Sequence, residues 1–593
     1  MTFAHWTAAT LLLAMTPNLQ TPDLATRRHA LDQLLDEQWQ YNLRESPEFA
    51  TIIGDYRYND KLSDVSLAHV EQQRKDNEAF LKRFEAIDTT GFPEQELLNQ
   101  QLMVRNLKEN LESTRLKLYL MPVDQFNGLH LAIAQFVPLI PFDNAKQYSD
   151  YISRLHQIPH VFDQVIETLE QGKRDHYMPP KFLLEKVVAQ LRALEEPAGE
   201  ANVFSGPAKH FPAAITEAEQ KSLRASVVKA VDTEVRPAYA KLANFIAQDY
   251  APAGRAEPGL WALPNGAELY RFAVRQQTTT SLEPEKIHEL GLREVARIHE
   301  EMLAIAKSQG FSDRKTFQTS LKTNPKLIPK SPDDILNTYR AYIAGMQPEL
   351  PKLFGLLPKT PVEVRPVQAY REKEAAAAEY NQGTPDGSRP GIVYVNTGDF
   401  ANRSKLSIES TSYHEAIPGH HMQISIAQTL PGLPPFRQQA QYTAYTEGWA
   451  LYSERLGKDI GFYKDPLSDY GRLSDELLRA CRLVLDTGVH YKHWTREQMI
   501  TFFRENSGED EPDIQAETDR YIVMPGQALA YKIGQLKILE LRTLAQKELS
   551  DKYDIRAFHD EILNGGALPL DVLEGRVRAW IQAVQAGKAP AHP

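Results

Sequence analysis

The strongest constraint on the fold is a spacing of apolar residues that repeats along most of the chain. In stretches such as ATRRHALDQLLDEQWQYNL and EQELLNQQLMVRNLKENLES, apolar residues recur three and four positions apart. This spacing places them on one face of an α-helix. Segments rich in proline and glycine separate the stretches and mark the ends of helices. The chain is therefore predicted to be mainly α-helical.

Two short segments show the alternation that is typical of β-strands. TPVEVRPV and RPGIVYVNTGD are rich in β-branched and aromatic residues, which favours strands. They predict one small sheet just before the helix that carries the motif described below. The second segment would suit an edge strand to which a peptide adds its own backbone, and an ordinary strand beneath that helix fits it equally well.

A change in composition near residue 255 divides the helical pattern into two parts. The segment APAGRAEPGLWALPNG is rich in proline and glycine, and helices are predicted on both sides of it. We therefore expect an N-terminal helical lobe over residues 23–255. A second region, over residues 256–593, carries the motifs described below.

Composition and charge argue against several classes of function. The formal net charge is −11, with 67 basic and 78 acidic residues, whereas a surface that binds nucleic acid normally has a basic excess. The single cysteine, Cys481, excludes an intramolecular disulfide and a cysteine-rich metal site. Beyond the N-terminus, no segment reaches the ~18 uncharged apolar residues of a membrane helix. We expect neither nucleic acid as a partner nor a membrane span.

The N-terminus carries a short apolar run that resembles part of a secretion signal. The run AATLLLAM is followed by a polar segment that contains prolines, and it is too short to span a bilayer. The first fifteen residues contain no lysine or arginine, unlike the usual start of a signal peptide. Residues 1–22 are a candidate signal peptide, which favours an exported, periplasmic protein over the alternative of a cytoplasmic one.

The stretch SYHEAIPGHHMQ is the most informative about chemistry. In many zinc hydrolases a helix carries two histidines four residues apart, with a glutamate directly after the first. Here His414 and Glu415 begin that pattern, but a proline stands four positions after His414, and the next histidines are His420 and His421. In an unbroken helix these would lie about 9 and 10.5 Å along the axis from His414, too far to share one ion.

Pro418 and Gly419 offer a way around this distance. A proline removes a helical hydrogen bond and disfavours the α conformation of the residue before it. The glycine permits dihedral angles that other residues avoid. The helix can therefore be interrupted so that a later histidine returns toward His414, and the residues alone leave open whether His420 or His421 does so.

A third metal ligand is expected from a later helix. YTAYTEGWALYSERLG contains Glu447 and Glu454, seven residues apart on one helical face. Glu447 is favoured because Gly448 beside it permits another helix to approach closely, and Glu454 is the alternative. Catalytic zinc sites combine three protein ligands with one open position. The sequence therefore predicts one Zn²⁺ per chain.

These stretches, together with RYIVMPGQALAYKIGQLKILELR, resemble the bacterial family called domain of unknown function 885. Its members share a His-Glu-x-x-Pro-Gly-His-His signature, and the likeness covers nearly the full chain. The family is similar to zinc peptidases that use glutamate as third ligand, among them carboxypeptidase Taq, the oligopeptidases and angiotensin-converting enzyme. The resemblance implies a two-lobed helical body with a deep central channel, and makes residues 256–593 the catalytic region.

The resemblance also implies roles for individual residues. Glu415 corresponds to the general base that takes a proton from water and returns it to the leaving amine. Tyr531, in PGQALAYKIG, resembles a tyrosine of the carboxypeptidase Taq group and would donate a hydrogen bond to the oxyanion. A tyrosine that only packs within its helix is the alternative.

Three further residues are weaker candidates. Arg520 and Tyr521 could clamp a substrate carboxylate, because a guanidinium group matches its geometry. Pairing of Arg520 with a neighbouring acidic residue, Glu517 or Asp519, fits the sequence equally well. His490 could support a ligand or the oxyanion, or could be a core or solvent-exposed histidine.

Residues and resemblance together predict a zinc-dependent peptidase that cleaves short peptides as a carboxypeptidase or an oligopeptidase. One alternative is a peptide-binding protein that keeps the fold without turnover. Another is a hydrolase with a different metal, for example iron or manganese held by Glu447 and Glu454 together. The sequence defines no oligomeric state.

Overall fold

The structure is a computed structural model that describes residues 23–368, 372 and 375–588. Within these residues helices dominate and three short strands form one sheet, which confirms the predicted, mainly α fold. None of the described helices combines the length and the apolar composition that a bilayer crossing requires. The candidate signal peptide at residues 1–22 lies outside the described residues.

Nine α-helices lie before residue 256 in the part of the chain that the structure describes. Side chains satisfy the free backbone groups at several of their first turns, as in the capping box that Thr216 and Glu219 form. The nine helices are α1 (Leu24–Glu45), α2 (Pro47–Ile52), α3 (Leu67–Glu85), α4 (Glu94–Arg115), α5 (Leu129–Phe136), α6 (Ala145–Arg174), α7 (Lys181–Glu195), α8 (Glu217–Ala230) and α9 (Arg236–Phe245).

The helices after residue 256 include all those that carry the predicted site residues. Fourteen α-helices are described there, and the one at residues 527–549 packs against those at residues 443–459 and 466–490. The fourteen helices are α10 (Gly266–Thr278), α11 (Pro284–Ser308), α12 (Arg314–Leu321), α13 (Pro332–Met346), α14 (Ile408–Glu415), α15 (His420–Thr429), α16 (Pro435–Gln438), α17 (Thr443–Asp459), α18 (Pro466–His490), α19 (Arg496–Asn506), α20 (Glu511–Val523), α21 (Gln527–Leu549), α22 (Ile555–Leu563) and α23 (Leu570–Gln585).

The sheet contains β1 (Val362–Pro366), β2 (Ala378–Asn381) and β3 (Gly391–Val395). β3 lies in the middle, parallel to β1 and antiparallel to β2. The prediction of β1 and β3 is confirmed, whereas β2 was not predicted. The interpretation of GIVYV as an edge strand is wrong, because both of its edges are already paired. β2 packs against α14, so the sheet lies beside the motif helix as expected.

The largest hydrophobic core contains residues from both sides of the predicted boundary at residue 255. Leu31 of α1 and Leu102 of α4 belong to the same buried cluster as Trp449 of α17 and Leu541 of α21. A second cluster, which includes Phe162 and other residues of α6 to α9, lies within the N-terminal part. The division into two lobes and the central channel stay predictions.

Candidate metal centre

The motif helix is interrupted directly after Glu415. α14 ends at this residue, the Ile417–Pro418 peptide bond is cis, and α15 begins at His420. The indole Nε1 of Trp449 donates a hydrogen bond to the carbonyl oxygen of Pro418 at 2.9 Å. This bond joins the interruption to α17, the helix that carries Glu447.

Gly419 fits a place where the chain folds back on itself. A Cβ atom at this position would overlap the carbonyl oxygens of Tyr413 and His414. Any side chain larger than a hydrogen atom would therefore force the turn open. The Pro-Gly pair interrupts the helix as the sequence predicted.

Three side chains meet across this interruption. The Nε2 atoms of His414 and His420 lie 3.6 and 3.4 Å from Oε2 of Glu447, and the three donor atoms lie within 4.8 Å of one another. Ligand atoms that surround a zinc ion tetrahedrally at 2.0–2.1 Å are about 3.4 Å apart. The spacing of these donors therefore fits one zinc ion.

One carboxylate oxygen of Glu447, Oε2, lacks a hydrogen-bond donor among the described residues. This atom is buried and accepts no hydrogen bond from any residue that the structure describes. A buried carboxylate oxygen without a partner costs free energy. The side chains of His420 and Glu447 are 11% and 19% exposed, so solvent reaches the edge of the cluster. A cation could enter there and supply the missing partner.

The electrostatics of the cluster also favour a bound positive charge. Burial lowers the pKa of His414, but the carboxylates of Glu447 and Glu454 outweigh it and raise that pKa to about 10. Burial raises the pKa of Glu447, whereas His420 and His414 hold it well below its usual value. The positive charge of a protonated His414 thus balances the nearby carboxylates. A metal ion could supply this positive charge instead of the proton, because histidine binds metals as the neutral imidazole.

Glu454 supports His414 from the opposite side of the ring. Its Oε1 atom lies 2.7 Å from Nδ1 of His414, and its side chain is buried. A carboxylate on Nδ1 fixes the ring so that Nε2 points toward Glu447, an arrangement common around metal sites. Of the two glutamates that the sequence proposed as third ligand, Glu447 lies in the donor cluster and Glu454 orients a donor.

His421 faces away from the cluster. Its Nδ1 lies 3.1 Å from the hydroxyl oxygen of Tyr380, and its Nε2 lies 3.0 Å from the carbonyl oxygen of Thr360. Burial lowers the pKa of His421 to about 4. The structure therefore brings His420, and not His421, to Glu447. His421 instead forms hydrogen bonds that connect α15 with β2 and with the segment before β1.

Glu415 and Tyr531 lie next to the donor cluster. Glu415 follows His414 directly and is buried. The ring of Tyr531, on α21, lies nearly parallel to the His414 ring, with 6.5 Å between the centroids and 17° between the planes. These two of the predicted catalytic residues therefore lie in the same region as the candidate metal ligands.

Arg520 and Tyr521 share a carboxylate partner, Glu517. Arg520 donates to Oε1 of Glu517 at 3.2 Å and to the hydroxyl oxygen of Tyr531 at 3.3 Å. The hydroxyl of Tyr521 donates to Oε2 of Glu517 at 2.5 Å, and Tyr521 is fully buried. The structure thus brings Arg520 to Tyr531, and it places Tyr521 beneath the surface.

His490 has a different environment. Its Nδ1 accepts a hydrogen bond from the backbone N–H of Leu260 at 3.1 Å, and its Nε2 lies 2.9 Å from the carbonyl oxygen of Tyr521. Burial lowers the pKa of His490 to about 3. Both ring nitrogens are bonded to backbone groups, so this histidine joins α18 to its neighbours and is not brought into the donor cluster.

Two arginines that the sequence interpretation missed border Tyr531. The guanidinium carbons of Arg479 and Arg482, on α18, lie 5.9 and 4.7 Å from the centre of the Tyr531 ring. In LLRACRLVL they stand three residues apart among residues that are otherwise apolar. Charged residues at helical spacing in such a segment are seldom buried without a partner, and that signal could have identified them.

The fold and the donor set together define the class as a mainly helical protein in which two histidines and a glutamate could hold a metal ion. The chain belongs to the family described as "Bacterial protein of unknown function (DUF885)", whose model matches residues 47–577. The family part of the resemblance is thereby confirmed.

Two solved structures share the fold. The chain is 31% identical to "the putative lipoprotein from Colwellia psychrerythraea", with a TM-score of 0.91 and coverage of 94% of this chain and 99% of that one. A "putative lipoprotein of unknown function from Shewanella oneidensis" is 18% identical, with a TM-score of 0.70 and the same coverage, and shows the fold alone. A comparison with curated proteins gave no match.

Proposed function

We propose that the protein is a zinc-dependent peptidase that hydrolyses short peptides. The observation that carries the proposal is the convergence of Nε2 of His414 and His420 on Oε2 of Glu447 at 3.6 and 3.4 Å. The position of Glu415 directly after His414 gives further support, because zinc peptidases place their general base there. The likeness of the motif to peptidases with a glutamate ligand supports the substrate class.

In this proposal His414, His420 and Glu447 hold one Zn²⁺. The ion would supply Lewis acidity, which polarises the scissile carbonyl group and makes an attacking water more acidic. Glu415 would accept a proton from that water and deliver it to the nitrogen of the leaving amine as the C–N bond breaks. The hydroxyl of Tyr531 would donate a hydrogen bond to the carbonyl oxygen while negative charge develops on it.

The proposal includes export to the periplasm. Its support is the apolar run near the N-terminus and the likeness to a Colwellia protein described as a "putative lipoprotein". Cell fractionation of the native host, with detection of this chain, tests the location. Recovery with the cytoplasmic fraction alone would contradict export.

The metal is tested by elemental mass spectrometry on protein purified without added metal. We expect one zinc per chain, because the donor cluster contains two imidazoles and one carboxylate, a set that suits zinc. Stoichiometric iron, or two metal ions per chain, would contradict a mononuclear zinc centre.

The reaction is tested with Glu415→Gln on a mixed peptide library that is followed by mass spectrometry. We expect cleavage to fall by at least about 100-fold, because a general base contributes that much, while the zinc content stays unchanged. Glu548→Gln, at an exposed position of α21, is the matched control and should cleave like the wild type. Equal background cleavage in the wild type and in Glu415→Gln would favour the peptide-binding protein without turnover.

A further inference from the structure

Three arginine side chains surround Tyr531. The guanidinium carbons of Arg482 and Arg479 lie 4.7 and 5.9 Å from the ring centre. Nη2 of Arg520 donates to the phenol oxygen at 3.3 Å. The same ring stacks on His414. The side chain of Tyr531 therefore lies between the three arginines and the candidate metal centre.

The acidic neighbours leave part of this cluster without acceptors. Glu517 accepts hydrogen bonds from Arg482 and Arg520, and a carboxylate oxygen of Asp475 lies 3.8 Å from Arg479. Nη1 of Arg482 and the Nε atoms of Arg479 and Arg520 are buried and donate to no residue that the structure describes. Buried donors of charged groups cost free energy when they lack a partner, so the cluster is suited to an additional anion.

The three arginines differ in exposure. Arg482 is buried, and its Nε donates to the hydroxyl oxygen of Tyr521 at 3.0 Å. The side chains of Arg479 and Arg520 are 15% and 13% exposed. The exposed ring of Phe126 lies over Arg520, 5.0 Å from its guanidinium carbon. A ligand would therefore reach Arg479 and Arg520, while Arg482 positions Tyr531 and Tyr521 behind them.

We propose that Arg479 and Arg520 bind the C-terminal carboxylate of the peptide substrate, with Arg482 as a positioning residue. This inference rests on the proposed function and deepens it. A planar guanidinium group matches a carboxylate with two parallel hydrogen bonds. The protein is then an exopeptidase that acts at the C-terminus of short peptides.

The distance between the two sites limits the length of the product. Tyr531 contacts both His414 and the arginine cluster, and an extended residue spans about 3.5 Å. A carboxylate held by the arginines therefore places one of the first three peptide bonds from the C-terminus beside the candidate metal centre. Released products should be single residues, dipeptides or tripeptides.

The test compares two synthetic pentapeptides, acetyl-Ala-Ala-Phe-Ala-Ala with a free C-terminal carboxylate and the same peptide as its C-terminal amide. We expect kcat/KM of the wild type to be at least about 10- to 100-fold higher for the free acid, because hydrogen bonds to charged groups contribute that much. The products should come from the C-terminal end. Equal rates for the acid and the amide, or cleavage of the acid only at bonds remote from its C-terminus, would overturn the inference.

Variants assign the preference to the cluster. Arg479→Ala and Arg520→Ala should each lower the ratio of kcat/KM for acid over amide by about 10-fold or more, mainly through KM. Arg482→Ala should lower the same ratio and Arg482→Lys should restore part of it, which loss of stability alone would not do. Arg83→Ala, which removes an exposed ion pair with Glu37, should leave the ratio unchanged. An unchanged ratio in both Arg479→Ala and Arg520→Ala would overturn the assignment.

Binding separates this inference from the proposed function. If the wild type hydrolyses neither peptide, the peptidase proposal fails, and titration calorimetry of Glu415→Gln with the same two peptides decides the inference. Tighter binding of the free acid by about 10-fold or more supports the carboxylate site. Equal affinities, or no binding of either peptide, overturn it.

Discussion

At the scale of single residues, two adjacent histidines have opposite surroundings. Successive side chains on an α-helix point about 100° apart, so His420 and His421 cannot both face Glu447. His420 meets Glu447 at 3.4 Å, and His421 has hydrogen-bonding partners for both ring nitrogens at the sheet. The rotation of α15 about its axis therefore decides which of the two adjacent histidines faces Glu447 and is a candidate ligand.

A pair of alanine variants tests this distinction. His420→Ala should lose stoichiometric metal after dialysis, because it removes one of three donors. His421→Ala should keep the metal but lower the free energy of unfolding by about 1–3 kcal/mol, since the carbonyl oxygen of Thr360 loses its donor. Elemental mass spectrometry and urea unfolding measure the two effects. The reverse pattern of metal loss would assign the ligand to His421.

The carboxylate behind His414 gives a second prediction at this scale. Glu454→Gln should lower the zinc affinity by about 10- to 100-fold, because the hydrogen bond to Nδ1 orients the ring and makes it more basic. Competition with a chromophoric chelator measures the affinity. Glu548→Gln should bind zinc like the wild type, and an unchanged affinity in Glu454→Gln would show that the orienting bond has no effect.

At the scale of elements, the crossing of α17 and α21 brings Glu447 and Tyr531 to the same region. Gly448 and Gly534 meet at this crossing, and a Cβ atom on Gly534 would overlap the carbonyl oxygen of Ala444. Each glycine lies within three residues of a site residue on its own helix. The close approach of the two backbones therefore sets the position of a candidate ligand relative to a candidate catalytic hydroxyl.

Substitution at the crossing should affect both stability and the site. Gly534→Ala should lower the free energy of unfolding by about 1–3 kcal/mol, because the added methyl group forces the helices apart, and it should weaken zinc binding. Gly575→Ala is the matched control in α23, where an added Cβ has no neighbour within 4 Å. It should be neutral or stabilise by up to about 1 kcal/mol. Urea unfolding of the two variants checks this, and equal effects would contradict a constrained crossing.

At the scale of the whole molecule, buried polar groups join elements that are distant in the chain. His559 of α22 donates from Nδ1 to the carbonyl oxygen of Leu353 at 2.9 Å and accepts at Nε2 from the hydroxyl of Tyr452 at 2.7 Å. Burial lowers the pKa of His559 to about 3. This histidine therefore stays neutral in the folded protein at pH values where the unfolded chain would take up a proton.

That difference predicts a pH-dependent contribution to stability. The unfolded His559, with a pKa of about 6.5, gains a proton as the pH falls, and the folded one does not, so its contribution is complete above pH ~6.5 and declines below it. The stability advantage of the wild type over His559→Gln should shrink by about 2 kcal/mol between pH 7.5 and pH 5. Urea unfolding at several pH values measures it. An advantage that stays constant or grows toward acid would contradict a neutral buried imidazole.

Features that depend on local chemistry could be predicted from the residues alone. The spacing of apolar residues predicts helices because it matches the period of the α-helix. The enrichment of β-branched and aromatic residues in alternating positions predicted β1 and β3. Pro418 and Gly419 predicted the helix interruption, because proline lacks a backbone N–H and glycine permits unusual dihedral angles in any context. The local motifs also predicted a candidate ligand set. It consists of His414, one of two adjacent histidines and one of two glutamates.

Other features depended on helix packing, which selects among alternatives that the sequence supports equally. The tertiary structure brings His420 and Glu447 together, bonds both nitrogens of His490 to the backbone, and surrounds Tyr531 with arginines of α18 and α20. Each outcome depends on where one helix crosses another. Such crossings are set by packing between residues far apart in the chain, such as Gly448 and Gly534, and no local pattern encodes them.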